Sequence, residues 1–326
     1  MPTKVSSKSA KRRNERPPEH LRAQLTLTIN PLHALFGAEL IGANLHQPPS
    51  PELIAAVNEA MAKYAVVVLR DQLITDDEQI RFSRAFGPLE LPPHMGFKPA
   101  VRRRVRPEMY DVSNLDDDGN FLPPESLRHA SNRANGEFHT DSSFNSLPTK
   151  WSLLSARILP PERGDTLYID TRAVYEALPD DLKVRARDAV AEHYFWKTRG
   201  RAGYTEITDA MRSAMPPVPQ KIVRVIPESG RTALLIGNHA THVIGWPIEE
   251  GRKFLQQLND FAAQPQFIYT HKWRLGDLVI WDNRCTVHRA TGYDVFRHKR
   301  DLRRTTINEY GPEISSTDAL GVAPPA

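Results

Sequence analysis

Two short stretches of this 326-residue chain concentrate side chains that bind metal ions. The first, Phe138-His-Thr-Asp-Ser-Ser-Phe144, sets His139 and Asp141 two residues apart. On an extended backbone alternate side chains share a face, so this imidazole and this carboxylate can reach one cation. The second, Leu278-Val-Ile-Trp-Asp-Asn-Arg-Cys-Thr-Val-His288, reads as a strand running into a histidine. Two imidazoles and one carboxylate on one face of a metal leave its other coordination positions open. That is the facial arrangement of non-haem iron(II) oxygenases. A lone His-x-Asp, or a lone distal histidine, is common in proteins that hold no metal. The case therefore depends on the company these residues keep.

Arg300-Asp-Leu-Arg-Arg304 begins twelve residues after His288, and Thr166 follows His139 within Gly164-Asp-Thr166. An oxygenase of this kind needs a cation deep in its site for the far carboxylate of a keto-diacid cosubstrate. A guanidinium grips a carboxylate through two parallel hydrogen bonds, and a hydroxyl can add another. A zinc hydrolase could use His139, Asp141 and His288 as well, but it would have no use for Arg300 and Thr166.

The composition says what can position these groups. Hydrophobic residues make up 40% and charged residues 25% of the chain, a globular balance. No apolar run approaches the ~18 residues of a membrane helix, so no membrane partner is expected. The single cysteine, Cys285, excludes an internal disulfide and any multi-thiolate cluster. A reducing cytoplasm is the expected location. Residues 1–22 carry seven bases against two acids, whereas the remainder carries 36 against 37. The net charge of +4 is thus a property of the tail. That tail is too polar to offset its ordering entropy, and residues 1–24 are expected to be disordered. No stripe of bases and aromatics follows it, so no nucleic-acid partner is expected.

Folded sequence is expected over residues 25–312 as a single domain, followed by a loose tail at 313–326. Leu25–Ile29 alternates as a half-buried strand does, and Gly37–Leu45 is a second short apolar stretch. Pro51–Ala65 has helical spacing with proline in its first turn, and Val66–Leu69 is a β-branched run suited to a buried strand. Thr75-Asp-Asp-Glu78 has the form of a capping box opening a helix that ends at Gly87-Pro88. Residues 90–135 read as irregular and include the bases Lys98, Arg102, Arg103, Arg104 and Arg106. Helical patterns return at Arg172–Leu178 and Pro179–His193. Ile222–Ile226 with Thr232–Ile236 predicts a hairpin, Phe267–Trp273 with Leu278–Trp281 a second, and Arg304–Tyr310 a closing strand. Many short strands with peripheral helices point to a β-sandwich or jelly roll under helical cover.

The chain resembles the taurine dioxygenase/2,4-dichlorophenoxyacetate dioxygenase family of Fe(II)- and 2-oxoglutarate-dependent enzymes over about residues 27–310. The resemblance is carried by Asn30-Pro-Leu-His33, Gly37-Ala-Glu39, Val67-Val-Leu-Arg70 and FSRAFGPL at 82–89. It continues through His139-Thr-Asp141, Pro160-Pro-Glu-Arg-Gly-Asp-Thr166, Ala214-Met-Pro-Pro217 and Trp281-Asp-Asn-Arg284 with His288. HTDSSF at 139–144, IGNHATHV at 236–243 and RDLRRTT at 300–306 bring it nearest to the phenoxyalkanoate branch. The resemblance implies a double-stranded β-helix with Fe(II) held by His139, Asp141 and His288, and with 2-oxoglutarate and O2 as cosubstrates. It assigns Thr166 and Arg300 to the C5 carboxylate of 2-oxoglutarate, with Arg303 and Arg297 as competitors of Arg300. Arg304 would meet the acidic group of the substrate. Asp141 disfavours the related halogenases, which lack that carboxylate. Related enzymes are often homo-oligomers, and the same is expected here.

The implied reaction is hydroxylation of a small carboxylate, with succinate and CO2 as co-products. On an aryloxyalkanoate, a hydroxyl next to the ether oxygen yields a hemiacetal that collapses to a phenol and a 2-oxo acid. An alkyl sulfonate or sulfate ester would suit the same arginine, and a non-catalytic jelly-roll binding protein is the remaining alternative. Lys98 or a neighbouring arginine is a candidate for an anionic substrate, against a solvated basic loop. His239 and His242 are candidates for the pocket wall, against polar loop residues. Trp281, Phe144 and Cys285 read as core, and Asp282 with Arg284 as an ion pair supporting the His288 loop.

Overall fold

The computed structural model describes residues 26–92, 104–201, 203 and 207–313. The chain opens with β1 (Thr28–Pro31), β2 (Ala38–Ile41), α1 (Pro51–Tyr64), β3 (Val66–Leu69) and α2 (Asp76–Arg84). Next come β4 (Leu89–Glu90), β5 (Tyr110–Ser113), α3 (Leu127–Ala134), β6 (Thr149–Ile158) and β7 (Thr166–Asp170). α4 (Thr171–Ala177), α5 (Asp180–Ala186), β8 (Val190–His193), α6 (Phe195–Arg201) and α7 (Asp209–Ala214) follow. β9 (Val218–Lys221), β10 (Val223–Val225), β11 (Thr232–Leu234), β12 (Ala240–Val243) and α8 (Ile248–Ala262) lead into the last strands. Those are β13 (Ile268–His271), β14 (Leu278–Asp282), β15 (Thr286–Ala290) and β16 (Asp301–Asn308). The result is mainly β with flanking helices.

The large sheet has the order β1-β2-β3-β14-β6-β16-β4, with β5 also on β16. Only β2 and β3 in it run parallel, and α1 makes that crossover. A three-stranded sheet, β13-β7-β15, lies against it. One face of the large sheet packs Val67, Leu69, Leu153, Ile280 and Ile307 on Leu53 and Val57 of α1 and Ile80 and Phe82 of α2. The opposite face packs Val66, Val68, Leu154, Val279 and Trp281 on Tyr168 and Tyr269 of the smaller sheet. Val174 of α4 and Phe254, Leu255 and Leu258 of α8 cover the far side of that sheet through Ile169 and Val287. Burial on both faces explains the near-continuous apolar runs of β3 and β14.

Helix α1 starts as expected, with Ser50 Oγ accepting the Leu53 N–H and proline in the first turn. Thr75 and Glu78 form the reciprocal capping box of α2. The first predicted hairpin is present as β10 and β11. The second is not a hairpin. Strand β13 pairs with β7, while β14 pairs with β3 and β6, so the Arg274–Asp277 turn carries the chain from one sheet to the other. Asp277 ties that turn. Its fully buried carboxylate accepts the Arg274 N–H at 2.8 Å, Arg70 Nη1 at 2.5 Å and His271 Nε2 at 3.0 Å.

Two further expectations are corrected. The helix predicted to His193 stops at Ala186, and Val190–His193 is a strand whose alternate residues are buried. The 90–135 region contains β5 and α3. The longest strand, β6, carries no period-2 signal because Ser152 and Ser155 are buried along with its apolar neighbours. Ser155 Oγ donates to Gln79 Oε1 at 2.7 Å. Among the described residues no helix is long and apolar enough to cross a membrane. The 1–24 tail, Lys98 and all but the first residue of the 313–326 tail lie outside the described residues.

Removing the Asp277 charge leaves Arg70 and His271 facing a neutral group in the interior. Asp277→Ala should lower unfolding free energy by about 3 kcal/mol in urea titrations. A loss under about 1 kcal/mol would show that this turn is not held by its carboxylate.

Candidate active site

The site forms where the two sheets face each other. His139 precedes a turn and His288 lies in β15, yet their backbones make an isolated antiparallel bridge. The His139 N–H donates to the His288 carbonyl at 3.0 Å, and the His288 N–H returns to the His139 carbonyl at 2.8 Å. Directly bridged residues project their side chains to the same side. The two imidazoles accordingly lie with centroids 4.3 Å apart. Gly237 backs this bridge at φ +117°, where a Cβ would stand 3.1 Å from His139 Cα and 3.2 Å from the Phe138 carbonyl oxygen. A side chain there would push the histidine out of place.

Asp141 enters from the turn that follows. Ser142 adopts φ +55°, reversing the chain, and Thr140 Oγ1 donates to the Asn283 carbonyl at 2.6 Å. Asp141 Oδ2 accepts Ser152 Oγ at 2.8 Å, and Ser152 Oγ in turn accepts Asn283 Nδ2 at 3.0 Å. His139, Asp141 and His288 are all buried, and each offers a ligand atom within 4.8 Å of the others. The Nδ1 of His139 donates to the Glu137 carbonyl at 2.9 Å, which leaves Nε2 as the lone-pair nitrogen. That Nε2 stands 3.9 Å from Asp141 Oδ1.

Electrostatics suit this set to a divalent cation. Burial, reinforced by the neighbouring His139 ring, which disfavours a second proton beside it, pulls His288 down to about 3, and burial lowers His139 as well. Both rings are neutral at pH 7, the form that ligates. Burial alone would raise Asp141, but the Arg304 guanidinium and both imidazoles outweigh it and hold the carboxyl well below its usual range. The carboxylate is therefore ionised at any working pH.

A cavity of about 430 Å³ opens beside these residues. His139, His288, Thr166, Trp281, Arg300 and Arg304 are among its wall residues. Arg300 is buried, and its Nη2 donates to the Gly164 carbonyl at 3.3 Å. Its Nε has no partner, and no ion pair to it is present among the described residues. A buried guanidinium with no counter-charge is costly unless an anion meets it, so this part of the cavity wall fits a ligand carboxylate. Thr166 Oγ1 accepts Trp273 Nε1 at 3.0 Å, which leaves its hydroxyl hydrogen to donate.

The structure separates the sequence candidates. Of the three competing arginines, Arg300 reaches the cavity. Arg303 instead pairs with Asp76 and Asp301, and Arg297 is exposed. Arg304 lines the cavity but also hydrogen-bonds Asp141 and lies 4.3 Å over the Tyr110 ring. His242 is not among the wall residues; from β12 it meets its neighbour Thr241 and Glu192 of β8. His239 lies closer, its ring 6.2 Å from that of His139. Lys98 falls outside the described residues, and of its basic neighbours Arg104 pairs with Asp111 and Asp301 and Arg106 with Asp77. Trp281 packs in the core and also walls the cavity. Asp282 and Arg284 form the expected ion pair, at 2.7 Å. Ser152 escaped sequence reading altogether: it reaches Asp141 only because β6 registers it opposite Trp281 and Thr306.

Two buried imidazoles and a buried carboxylate beside a cavity that Arg300 also lines give the donor set of a two-histidine, one-carboxylate metal centre. The chain belongs to the taurine catabolism dioxygenase TauD, TfdA family, whose profile matches residues 28–306. It is 41% identical to an alpha-ketoglutarate-dependent 2,4-dichlorophenoxyacetate dioxygenase of Cupriavidus pinatubonensis, over 86% of this chain and 98% of that one. It is 37% identical to an (S)-phenoxypropionate/alpha-ketoglutarate dioxygenase of Sphingobium herbicidovorans, over 82% and 90%. A crystal structure of AAD-2 with Mn(II) and N-oxalylglycine superposes with a TM-score of 0.79 at 40% identity, covering 89% of this chain and 99% of that one. The protein is an Fe(II)- and 2-oxoglutarate-dependent dioxygenase.

Two results should follow. Ser152→Ala removes a hydrogen bond that orients Asp141 and should weaken Co(II) binding about tenfold by calorimetry, with the fold retained. Unchanged affinity would remove Ser152 from the site. His193, fully buried against Ser143 Oγ, is pulled down to about 3 by burial, from an ordinary value of 6.5. Its contribution to stability is complete above about pH 6.5 and is lost as pH falls toward 3. In the metal-free protein, His193→Gln should therefore flatten the fall of melting temperature between pH 7 and pH 4.5. A slope equal to that of the native chain would contradict the assignment.

Proposed function

We propose that the enzyme hydroxylates a small aryloxyalkanoate at the carbon beside its ether oxygen, so that the product collapses to a phenol and a 2-oxo acid. The observation that carries this reading is the convergence of His139, Asp141 and His288 beside a cavity whose wall also holds Arg300, a buried guanidinium with no ion pair among the described residues. The substrate class is supported by the phenoxyalkanoate-acting relatives. Bound iron(II) would activate O2, the oxidant, of which one oxygen atom enters the substrate as hydroxyl and the other enters the succinate left when 2-oxoglutarate loses CO2.

The protein's share is binding and orientation. His139, Asp141 and His288 would hold the metal on one face. Arg300 and Thr166 would take the far carboxylate of 2-oxoglutarate, which fixes the length and direction of the cosubstrate along the cavity. Arg304, on β16 four residues after Arg300, would meet the substrate carboxylate, and the Tyr110 ring beneath its guanidinium restricts where that charge can go. Fixing the acid group in this way would present its α-carbon to the metal. Trp281 and Leu154 supply apolar wall and limit water. We place the catalytic unit at residues 25–312 and read its facing sheets as a double-stranded β-helix. The TauD, TfdA profile match over 28–306 and the apolar packing between the two sheets support that reading.

The test is succinate release from a panel of aryloxyalkanoates, alkyl sulfonates and sulfate esters, with Fe(II), 2-oxoglutarate and O2. Aryloxyalkanoates should be turned over with stoichiometric phenol. Asp141→Ala should abolish the reaction. Arg304→Ala should raise KM for the aryloxyalkanoate by about tenfold or more while 2-oxoglutarate binding changes little. Turnover confined to sulfonates would overturn the substrate class, and an unchanged KM in Arg304→Ala would overturn the anchor.

A further inference from the structure

Immediately after β5 the chain places Asn114, which is 1% exposed. Three of the four hydrogen bonds its amide can make go to one segment of chain, including both donors. Its Oδ1 accepts the Arg300 N–H at 2.8 Å. Its Nδ2 donates to the Val295 carbonyl at 2.6 Å and to the His298 carbonyl at 2.8 Å. Its backbone N–H also donates to the Arg300 carbonyl at 3.3 Å. The segment it grips, residues 291–299, has neither helix nor strand to fix it, yet it supplies Tyr293, Val295 and Phe296 to the cavity wall and leads directly into Arg300. Only a primary amide offers two donors and an acceptor at this reach; aspartate would lose both donors.

We propose that Asn114 is a positioning residue for the cosubstrate. It fixes the backbone of Arg300, and with it the distance between that guanidinium and the metal centre, and it locks the Tyr293–Phe296 wall in the same act. This inference rests on the reading of Arg300 as the anchor for 2-oxoglutarate. It assigns to a residue twenty-five positions before His139 a share in cosubstrate affinity, through no contact with the cosubstrate itself.

The experiment uses the full chain carrying Asn114→Asp, which keeps the shape and the acceptor, and Asn114→Ala, which keeps neither. Anaerobic titration of the Fe(II) protein with 2-oxoglutarate, followed by its visible charge-transfer band, gives the dissociation constant. Co(II) affinity without 2-oxoglutarate reports on the metal ligands alone, and Arg300→Gln serves as the reference. Both Asn114 variants should weaken 2-oxoglutarate about tenfold or more and leave Co(II) affinity within about twofold. In turnover, KM for 2-oxoglutarate should rise more than kcat falls. Native 2-oxoglutarate binding in the Asn114 variants, with loss in Arg300→Gln, would overturn this inference alone. Native binding in Arg300→Gln would overturn the anchor reading and this inference with it. Equal losses of Co(II) and 2-oxoglutarate affinity would make Asn114 a general support of the fold and overturn the proposal. Should both variants precipitate, hydrogen exchange on the native Co(II) protein decides: adding 2-oxoglutarate must slow exchange at the Arg300 amide, and an unchanged rate there counts against the proposal.

Discussion

Two hydrogen bonds between the backbones of His139 and His288 set the geometry on which the chemistry depends. They join a turn to a strand of the smaller sheet across a sequence separation of 149 residues. Because bridged residues share a face, this one contact makes neighbours of two imidazoles that no local structure could bring together. Asp141 is then delivered by the reversal at Ser142, and the sheet-to-sheet interface supplies the dry surroundings that keep both rings neutral. Glycine at 237 is the steric condition for that approach.

Charge is distributed around this contact in two unlike ways. Asp141 has a partner already, since Arg304 bonds it and holds it ionised. Arg300 has no ion pair among the described residues, only the Gly164 carbonyl and the Tyr293 ring, and burial disfavours its charge. One arginine therefore stabilises the carboxylate of the metal set, while the other is a standing demand for an anion. Arg304 lies on β16 and Arg300 immediately precedes that strand, so the two guanidinium groups enter the site four residues apart on one stretch of chain. The ion pairs of Arg104 and Arg303 with Asp301 secure the same strand from its other face.

Much of this was legible in the sequence because the informative residues act through type and spacing. His139, Asp141 and His288 could be picked out as candidate ligands, and Thr166 and Arg300 as candidates for a ligand carboxylate, before any fold was known. The capping box at Thr75 and the apolar runs of β3 and β14 were equally plain, since each is a local pattern. What stayed hidden was long-range. Ser152 reaches Asp141 by strand register, and Asn114 reaches Arg300 from 186 residues away. The Arg274–Asp277 turn looked like a hairpin because a turn does not reveal which sheet its two strands join. Strand β6 was missed because buried serines, satisfied by Gln79, Asn283 and Asp141, mask its period. His242 drew notice as a histidine near a loop, while its register on β12 points it to Glu192.

The most direct measurement of this account is a crystal structure of the protein with Mn(II) and N-oxalylglycine, phased on the anomalous signal of the metal. The account predicts one metal between His139, Asp141 and His288, with the far carboxylate of the analogue on Arg300 and Thr166. Metal bound at other residues, or that carboxylate seated on Arg304 with Arg300 left unmatched, would contradict it.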